Sequence, residues 1–186
     1  MVCLLLCNEF NPRVTVLGRG SFFYINFYRR KKMYDLNEWC NRLILHEGMV
    51  LKPYKCPMGK LTIGVGRNLE DNPLSIEEKR ALGDYMHGIT ENGAKMLLRN
   101  DIMRCYEQLT KHIKGFETLE PDRQYALLDM CFQLGLKGLR KFRKMLRAIE
   151  RRDFIWASFE CLTSAYAKQT PKRAKKIAKV IKDGVW

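Results

Sequence analysis

Residues 45–66 read LHEGMVLKPYKCPMGKLTIGVG. Apolar residues recur at helical spacing up to this stretch, and Gly48 is the residue type that most often follows a helix. Residues 50–54 and 61–65 have the composition of short strands, and the CPMG sequence between them, at residues 56–59, is typical of a tight turn. The stretch therefore predicts a short amphipathic helix that leads into a small antiparallel hairpin.

Three side chains of this stretch are able to do chemistry: Glu47, Cys56 and Thr62. Eight residues separate Glu47 from Cys56, and five separate Cys56 from Thr62. A carboxylic acid near a second polar group, set on a helix end and a hairpin, is what cleavage of a glycosidic bond requires. Glu47 would lie at the negative end of the helix dipole, which disfavours its ionised form. Strand alternation directs Thr62 away from the packed side, toward a cleft.

Each of these residues also has an ordinary interpretation. Glu47 alone would be taken for an exposed surface carboxylate, and Thr62 for a residue with high strand propensity. Cys56 would be an unreactive thiol, although a cysteine that serves only the core is unusual on a turn. Composition and periodicity do not decide between these interpretations and the catalytic one.

The pattern as a whole resembles the phage-type lysozymes, glycoside hydrolase family 24. Their motif is Glu, eight residues, Asp or Cys, five residues and Thr, and Glu47, Cys56 and Thr62 match it. The resemblance continues through CFQLG at residues 131–135 and QTPKRAK at residues 169–175. It covers about residues 34–186 of the chain.

The resemblance implies cleavage of the β-1,4 bond between N-acetylmuramic acid and N-acetylglucosamine in peptidoglycan, without a metal or cofactor. Glu47 would be the general acid, and Thr62 would help to position the attacking water. Cys56 stands where many relatives have Asp, and two roles are open: a thiolate nucleophile, or a group that orients water with Thr62, which we favour. Lysines near Cys56 in sequence would lower its pKa. Phe132 and Gln133 match positions that contact sugar in relatives.

Two departures from the family pattern concern Arg67 and Tyr166. Relatives commonly have His at the first position, where it pairs with an Asp on the long helix, and Asp101 is the matching residue here. We therefore expect an ion pair between Arg67 and Asp101, with bidentate geometry available to the guanidinium. Relatives often have Trp where this chain has Tyr166.

The composition is that of a folded, strongly basic protein. The chain has 186 residues, 46% of them hydrophobic, and a formal net charge of +14. Such a surface is expected to attract a polyanion, namely an acidic cell wall, nucleic acid or anionic lipid, or else to serve solubility alone. Guided by the resemblance, we expect bacterial peptidoglycan as the partner, no nucleic acid, no stable membrane anchor and a monomer. The alternatives are a peptidoglycan-binding relative that has lost catalysis and a basic protein that binds nucleic acid or membrane.

The cysteine pattern indicates neither a zinc site nor a disulfide framework. There are seven cysteines at irregular spacing, and no two form a CxxC pair. Reduced thiols fit a cytosolic protein best. With the resemblance, this predicts a location in the cytoplasm of an infected bacterium, with action on the cell wall after release.

The fold expected from the element order is α+β and mainly helical. A small mixed lobe, made of a helix and a short antiparallel sheet, is joined by a long helix to a larger helical lobe, which is the lysozyme-like architecture. Ser75 and Glu78 form a capping box before a short helix, and the long helix spans residues 90–112. Further helices are predicted at residues 121–135, 139–149 and 154–166, and the last runs from Thr170 and Pro171 to Gly184.

The chain is expected to consist of an appendage, residues 1–32, and a lysozyme-like catalytic domain of two lobes, residues 33–186. Asp35 and Glu38 form a capping-box-like pair, and Tyr34 and Trp39 are spaced as a hydrophobic staple. The apolar start of the chain is too short for the core of a signal peptide. Residues 1–32 are therefore predicted to be dispensable for folding.

Overall fold

The computed structural model describes residues 36–186, and Asp35–Trp186 make up one compact unit. The predictions for residues 1–32, and those that involve Tyr34 and Asp35, lie outside the described residues. The described part is mainly helical with one small sheet, as the sequence predicts. Its elements in chain order are α1 (Leu36–Glu47), β1 (Val50–Lys55), β2 (Leu61–Gly64), β3 (Arg67–Asn68), α2 (Ile76–Leu82), α3 (Glu91–His112), a 3-10 turn (Phe116–Thr118), α4 (Pro121–Leu139), α5 (Arg143–Glu150), α6 (Phe154–Leu162), α7 (Ala165–Gln169) and α8 (Pro171–Asp183).

Helix α1 ends and the hairpin begins where the sequence predicts. The N–H of Gly48 donates to the carbonyl of Ile44 at 2.8 Å, and its φ of +74° is the left-handed conformation that favours glycine. Strands β1 and β2 are antiparallel, with Tyr54 opposite Thr62. The turn between them is closed by the N–H of Gly59, which donates to the carbonyl of Cys56 at 2.8 Å.

Strand β3, which the sequence analysis did not predict, completes the sheet in the order β1-β2-β3. It has two residues, and it pairs Arg67 with Ile63 and Asn68 with Thr62. Two residues are too few to show a strand periodicity, so no sequence signal was available.

The sheet packs on the first half of α3 through a small apolar core. Its buried members come from β2, the loops and α3, and they are Ile63, Leu74, Ile89, Ala94 and Leu97. Thr90 caps α3, because its hydroxyl accepts the N–H of Gly93 at 3.0 Å. The 22 residues of α3 span about 33 Å, which is long enough to run from the sheet into the helical lobe. The prediction for residues 90–112 is confirmed.

Helix α4 is interrupted at the glycine where the sequence predicted its end. Gly135 has a φ of +67°, and a short helical segment continues from there to Leu139. The next predicted helix, 139–149, is wrong at its start, because α5 begins only at Arg143. The intervening residues form a turn in which the N–H of Phe142 donates to the carbonyl of Leu139 at 3.0 Å.

The predicted helix at residues 154–166 is also wrong, because the structure divides it in two. Helix α6 ends at Leu162, and Ser164 then caps α7. The Ser164 hydroxyl donates to the carbonyl of Cys161 at 2.6 Å, so a serine side chain competes with the helical hydrogen bonds at this point. Thr170 occupies the N-cap position of α8, but its hydroxyl donates to the carbonyl of Tyr166 at 3.1 Å and does not cap the helix.

None of the helices within residues 36–186 combines the length and the apolar character needed to cross a bilayer.

The predicted ion pair between Arg67 and Asp101 is confirmed, and it belongs to a larger buried network. Arg67 Nε donates to Asp101 Oδ2 at 2.8 Å, while Arg67 Nη2 donates to Glu78 Oε1, also at 2.8 Å. The guanidinium therefore divides its donors between two carboxylates and does not bind Asp101 in a bidentate manner. The side chains of Arg67, Glu78 and Asp101 are 1%, 4% and 8% exposed. The network fastens β3 to α2 and α3.

The pKa of Glu78 reflects this network. Burial alone would raise it, but hydrogen bonds from Arg67, Asn100 and the backbone N–H of Ser75 outweigh burial and lower the pKa to about 2. The folded pKa thus lies below the unfolded value of 4.5. The carboxylate consequently contributes stability above pH 4.5, and this contribution disappears as the pH falls toward 2.

We predict that Glu78→Gln removes an acid-sensitive part of the folding free energy. Near neutral pH the variant should be less stable than the parent by up to about 3 kcal/mol, and the difference should shrink as the pH falls toward 2. Urea denaturation over a series of pH values measures this. Glu107→Gln, at an exposed position of α3, is the matched control and should leave the profile unchanged. A constant difference between Glu78→Gln and the parent at all pH values would contradict the assignment.

Candidate active site

Glu47 is the last residue of α1, and its carboxyl group faces the segment that follows β2. The Glu47 side chain is 26% exposed. A Cβ built on Gly66 would lie 4.0 Å from Glu47 Oε2, so a glycine leaves room beside the carboxyl group. Gly66 also has a φ of +71°, which favours glycine at this position.

Arg173 of α8 holds Glu47 from the other side. Arg173 Nη1 donates to Glu47 Oε1 at 2.5 Å, and Arg173 Nε donates to Asp129 Oδ1 of α4 at 2.7 Å. The Arg173 side chain is 11% exposed and that of Asp129 is fully buried. One guanidinium therefore joins the end of α1, the middle of α4 and the first turn of α8 through two carboxylates.

The roles of Arg173 and Asp129 were not predicted from the sequence. Arg173 lies within the QTPKRAK segment that carried the resemblance, but the segment alone does not indicate its partners. Asp129 is a single acidic residue within the apolar run YALLDMCF at residues 125–132. A charged residue at a core-facing helix position is rare unless it has a partner of opposite charge. The position of Asp129 could therefore have indicated a buried ion pair.

The electrostatics around Arg173 combine burial with close opposite charges. Burial raises the pKa of Asp129, and the positive charge of Arg173 acts against that shift. Burial also lowers the pKa of His46, the residue before Glu47, and the charges of Arg173 and Lys176 act in the same direction, opposed by Asp129. For Arg173 itself, burial would lower the pKa, but Asp129 and Glu47 outweigh burial and raise it. The guanidinium charge is thus permanent.

The expectation for Glu47 drew on the helix dipole alone and did not include a charged partner. The structure adds one, since the Arg173 guanidinium lies 2.5 Å from the Glu47 carboxyl group.

Cys56 and Thr62 are brought together by the hairpin. The pKa of the half-buried Cys56 thiol is lowered, chiefly by the backbone N–H of Met58, and further by the backbone of Lys60, the Thr62 hydroxyl and the Lys60 ammonium group. Lys60 is one of the lysines expected to have this effect. The position of Cys56 on the turn is what directs backbone N–H groups at its sulfur.

Thr62 is less accessible than strand alternation predicted. The residue is 3% exposed, and its hydroxyl donates to the carbonyl of Lys60 at 3.1 Å. The expectation that it faces an open cleft is therefore wrong for this conformation. Of the two hairpin groups, Cys56 is the one that solvent reaches.

Phe132 and Gln133 lie near the end of the first segment of α4, just before the break at Gly135. Phe132 is half-buried and Gln133 is exposed, so Gln133 is available to a ligand. An open groove of about 950 Å³ begins next to them at Leu134 and extends between α5, α6 and α7. Phe142 and Tyr166 line it with their rings in edge contact at 6.0 Å, and its walls carry Lys141, Lys144 and Arg147. Glu47 is not among the residues that line this groove.

Across residues 36–186, no three His, Cys, Asp or Glu side chains are grouped so that they could hold a metal ion. The polar groups of the candidate site are two pairs: the Glu47 carboxyl group with the Arg173 guanidinium, and, on the hairpin, the Cys56 thiol with the Thr62 hydroxyl. These are groups suited to proton transfer and to holding water.

Several known proteins have sequences similar to that of this chain. The phage lysozyme family matches residues 45–179. The "Probable T4-type lysozyme 2" of Dictyostelium discoideum is 29% identical over 152 residues, which cover 74% of this chain and 89% of that protein. An "Endolysin" of Acyrthosiphon pisum secondary endosymbiont phage 1 is 28% identical over 128 residues, covering 69% of this chain and 77% of the other. The "Pre-baseplate central spike protein Gp5" of Enterobacteria phage T4 is 29% identical over 151 residues, 74% of this chain but 26% of that protein.

The chain belongs to the phage lysozyme family. Membership supports a glycosidase that acts on peptidoglycan, and it agrees with the helical architecture and the small antiparallel sheet. The resemblance that the sequence motifs indicated is confirmed.

We predict that Asp129→Asn lowers both stability and activity. The amide keeps the volume of the side chain but not its charge, so Arg173 loses a buried partner at a cost on the order of 1–3 kcal/mol. The guanidinium is then free to shift, and Glu47, which it holds, would shift with it. This displacement should reduce kcat/KM by about tenfold or more. Urea denaturation and a lysis assay measure the two effects. Asp183→Asn, at an exposed carboxylate of α8, is the control. Parent-like stability and activity in Asp129→Asn would show that Asp129 does not hold Arg173.

Proposed function

We propose that this protein is a lysozyme that hydrolyses the β-1,4 bond between N-acetylmuramic acid and N-acetylglucosamine in bacterial peptidoglycan. We further propose that it acts on the wall after release from the cytoplasm of an infected bacterium and leads to lysis of that cell. The observation that carries the proposal is the carboxyl group of Glu47, held by Arg173 at the end of α1 beside Gly66.

In the proposed reaction, Glu47 donates a proton to the glycosidic oxygen of the leaving sugar. A proton donor must pass between neutral and ionised forms. When Glu47 is neutral, Arg173 remains balanced by Asp129, 2.7 Å from its Nε, so protonation of Glu47 leaves no buried charge without a partner. The presence of two carboxylates around Arg173 thus suits a mechanism in which Glu47 alternates between its neutral and ionised forms.

In the same proposal, Cys56 orients the attacking water and Thr62 supports it. Cys56 is partly exposed, whereas Thr62 is 3% exposed and its hydroxyl contacts the Cys56 sulfur. A lowered pKa increases the thiolate fraction of Cys56, and a thiolate favours the positive charge that develops on the sugar in the transition state. The same lowered pKa is compatible with the second role, in which the thiolate attacks the anomeric carbon.

The remaining contacts with substrate are assigned to the helical lobe. Phe132 and the exposed Gln133 are the proposed sugar-binding residues. The formal net charge of +14 supports association with an acidic cell wall.

A catalytically impaired peptidoglycan-binding protein is the second candidate. The observations that favour it are the thiol at position 56 and the covered hydroxyl of Thr62. Such a protein would bind the wall through the same helical lobe and release no fragments.

We predict that Glu47→Gln leaves folding and wall binding intact but nearly abolishes cleavage. The amide keeps the shape of the side chain and has no proton to donate, and general acid catalysis typically contributes ~10²–10⁴-fold. Turbidity of a cell-wall suspension measures cleavage, and sedimentation with the wall measures binding. Glu91→Gln, at an exposed position of α3, should behave like the parent. Activity of Glu47→Gln within about tenfold of the parent would remove Glu47 from the mechanism.

Replacements at Cys56 separate its roles. Cys56→Asp should retain substantial activity because a carboxylate also orients water and stabilises positive charge, while Cys56→Ala and alkylation should lose most of it. Cys105→Ala, at a half-buried thiol of α3, is the matched control. Full activity in Cys56→Ala would make Cys56 a bystander, and a sugar adduct trapped on its sulfur would establish the nucleophilic role instead.

A further inference from the structure

Helix α6 presents its large apolar residues to solvent and its small residues to the protein. Ala157 and Cys161 are fully buried, whereas Ile155, Trp156, Phe159 and Leu162 are 72%, 50%, 50% and 45% exposed. A helix that served only the core would place its bulky apolar side chains inward. The inverted arrangement indicates that the outer face of α6 has a use of its own.

The four exposed residues, here named the α6 ridge, form one continuous surface. Ile155, Phe159 and Leu162 share a helical face, and Trp156 stacks on Phe159 with ring centroids 5.1 Å apart. Aromatic side chains have roughly 150–250 Å² of surface each, so the half-exposed Trp156 and Phe159 contribute about 200 Å². Ile155 and Leu162 enlarge the apolar patch to about a few hundred Å². A patch of that size on a single chain is often an interaction site.

Basic side chains lie on α5 and α8, two of the helices that pack against α6. On α5, the exposed residues Arg143, Lys144 and Arg147 line a groove together with Glu160 of α6 and with Thr163, which follows that helix. On α8, the exposed lysines include Lys172, Lys175 and Lys179. Glu160 is the one acidic residue within α6. The ridge is thus an apolar strip between two positively charged helices.

We propose that the α6 ridge is a reversible docking surface for an anionic phospholipid bilayer. The ridge would enter the boundary between headgroups and acyl chains, where aromatic side chains are favoured, and the lysines and arginines of α5 and α8 would contact lipid phosphates. Neither interaction depends on the active site, since none of the ridge residues belongs to it.

Two features argue against a second copy of the chain as the occupant. A stable protein interface buries about 600–1,000 Å² on each partner, which is more than the ridge provides. Pairing two ridges would also bring the basic residues of α5 and α8 in one copy toward those in the other, and like charges repel.

The apolar strip also distinguishes a bilayer from other polyanions. A cell-wall polymer or a nucleic acid supplies negative charge, but Ile155 and Leu162 have neither a ring for stacking nor a polar group for hydrogen bonding. A bilayer alone offers an apolar layer beneath a layer of phosphates.

The test is flotation of the full chain with vesicles of phosphatidylcholine alone and of equimolar phosphatidylcholine and phosphatidylglycerol. The parent should bind the anionic vesicles and not the neutral ones, and added salt should weaken binding. The double variant Trp156→Ser and Phe159→Ser should bind at least about tenfold more weakly, because it lacks most of the inserting area. The matched control is Ile76→Ser and Met86→Ser, two exposed apolar residues outside α6.

Thermal unfolding checks that both double variants fold, as expected for changes at exposed positions. The proposal is overturned if the parent does not bind anionic vesicles, or if the ridge variant binds them as tightly as the parent does. Self-association of the parent that the ridge variant loses would identify a second copy as the occupant instead. Equal weakening of oligonucleotide binding by the ridge variant would identify a nucleic-acid surface.

Discussion

The ion pairs of Arg173 are the interaction on which the site depends. Its guanidinium donates to Glu47 on α1 and to Asp129 on α4, so three helices that are distant in sequence meet at one cation. Burial of a charge is costly unless an opposite charge lies beside it. The packing of the three helices places Glu47 and Asp129 beside the Arg173 guanidinium. The direction of the Glu47 carboxyl group therefore follows from the packing of α1, α4 and α8, and any change in that packing reaches Glu47 directly.

A second buried arginine, Arg67, fixes the small sheet to the neighbouring helices through ion pairs. Arg67 on β3 is shared by Glu78 of α2 and Asp101 of α3, and its side chain is 1% exposed. The sheet has two short strands and one of only two residues, so its own hydrogen bonds give it little stability. The buried network compensates by fixing the sheet to the long helix. Cys56 and Thr62 consequently sit on a hairpin whose base is anchored through charge.

The parts of the fold that the sequence predicted are those with local signals. Gly48 at the end of α1, the capping box of Ser75 and Glu78, and the start of α3 at Thr90 are each set by residues within one helical turn. The misplaced end of α6 arises where the Ser164 side chain binds a backbone carbonyl, and the misplaced start of α5 arises where a backbone turn closes between Phe142 and Leu139. Asp129 and Arg173 were missed because 44 and 126 residues separate Arg173 from its two partners, and contacts at that distance leave no periodic pattern. The burial of Thr62 was also missed, because it depends on tertiary packing and strand alternation does not report it.

Mass spectrometry of peptidoglycan digested by the full chain tests the central claim most directly, namely that the protein cleaves a glycosidic bond with water. Hydrolysis predicts muropeptides that end in a reducing N-acetylmuramic acid, because water supplies the new hydroxyl group at the anomeric carbon. Products that end in anhydro-N-acetylmuramic acid would contradict attack by water. Peptidoglycan left uncleaved by the folded protein would contradict the enzymatic function altogether.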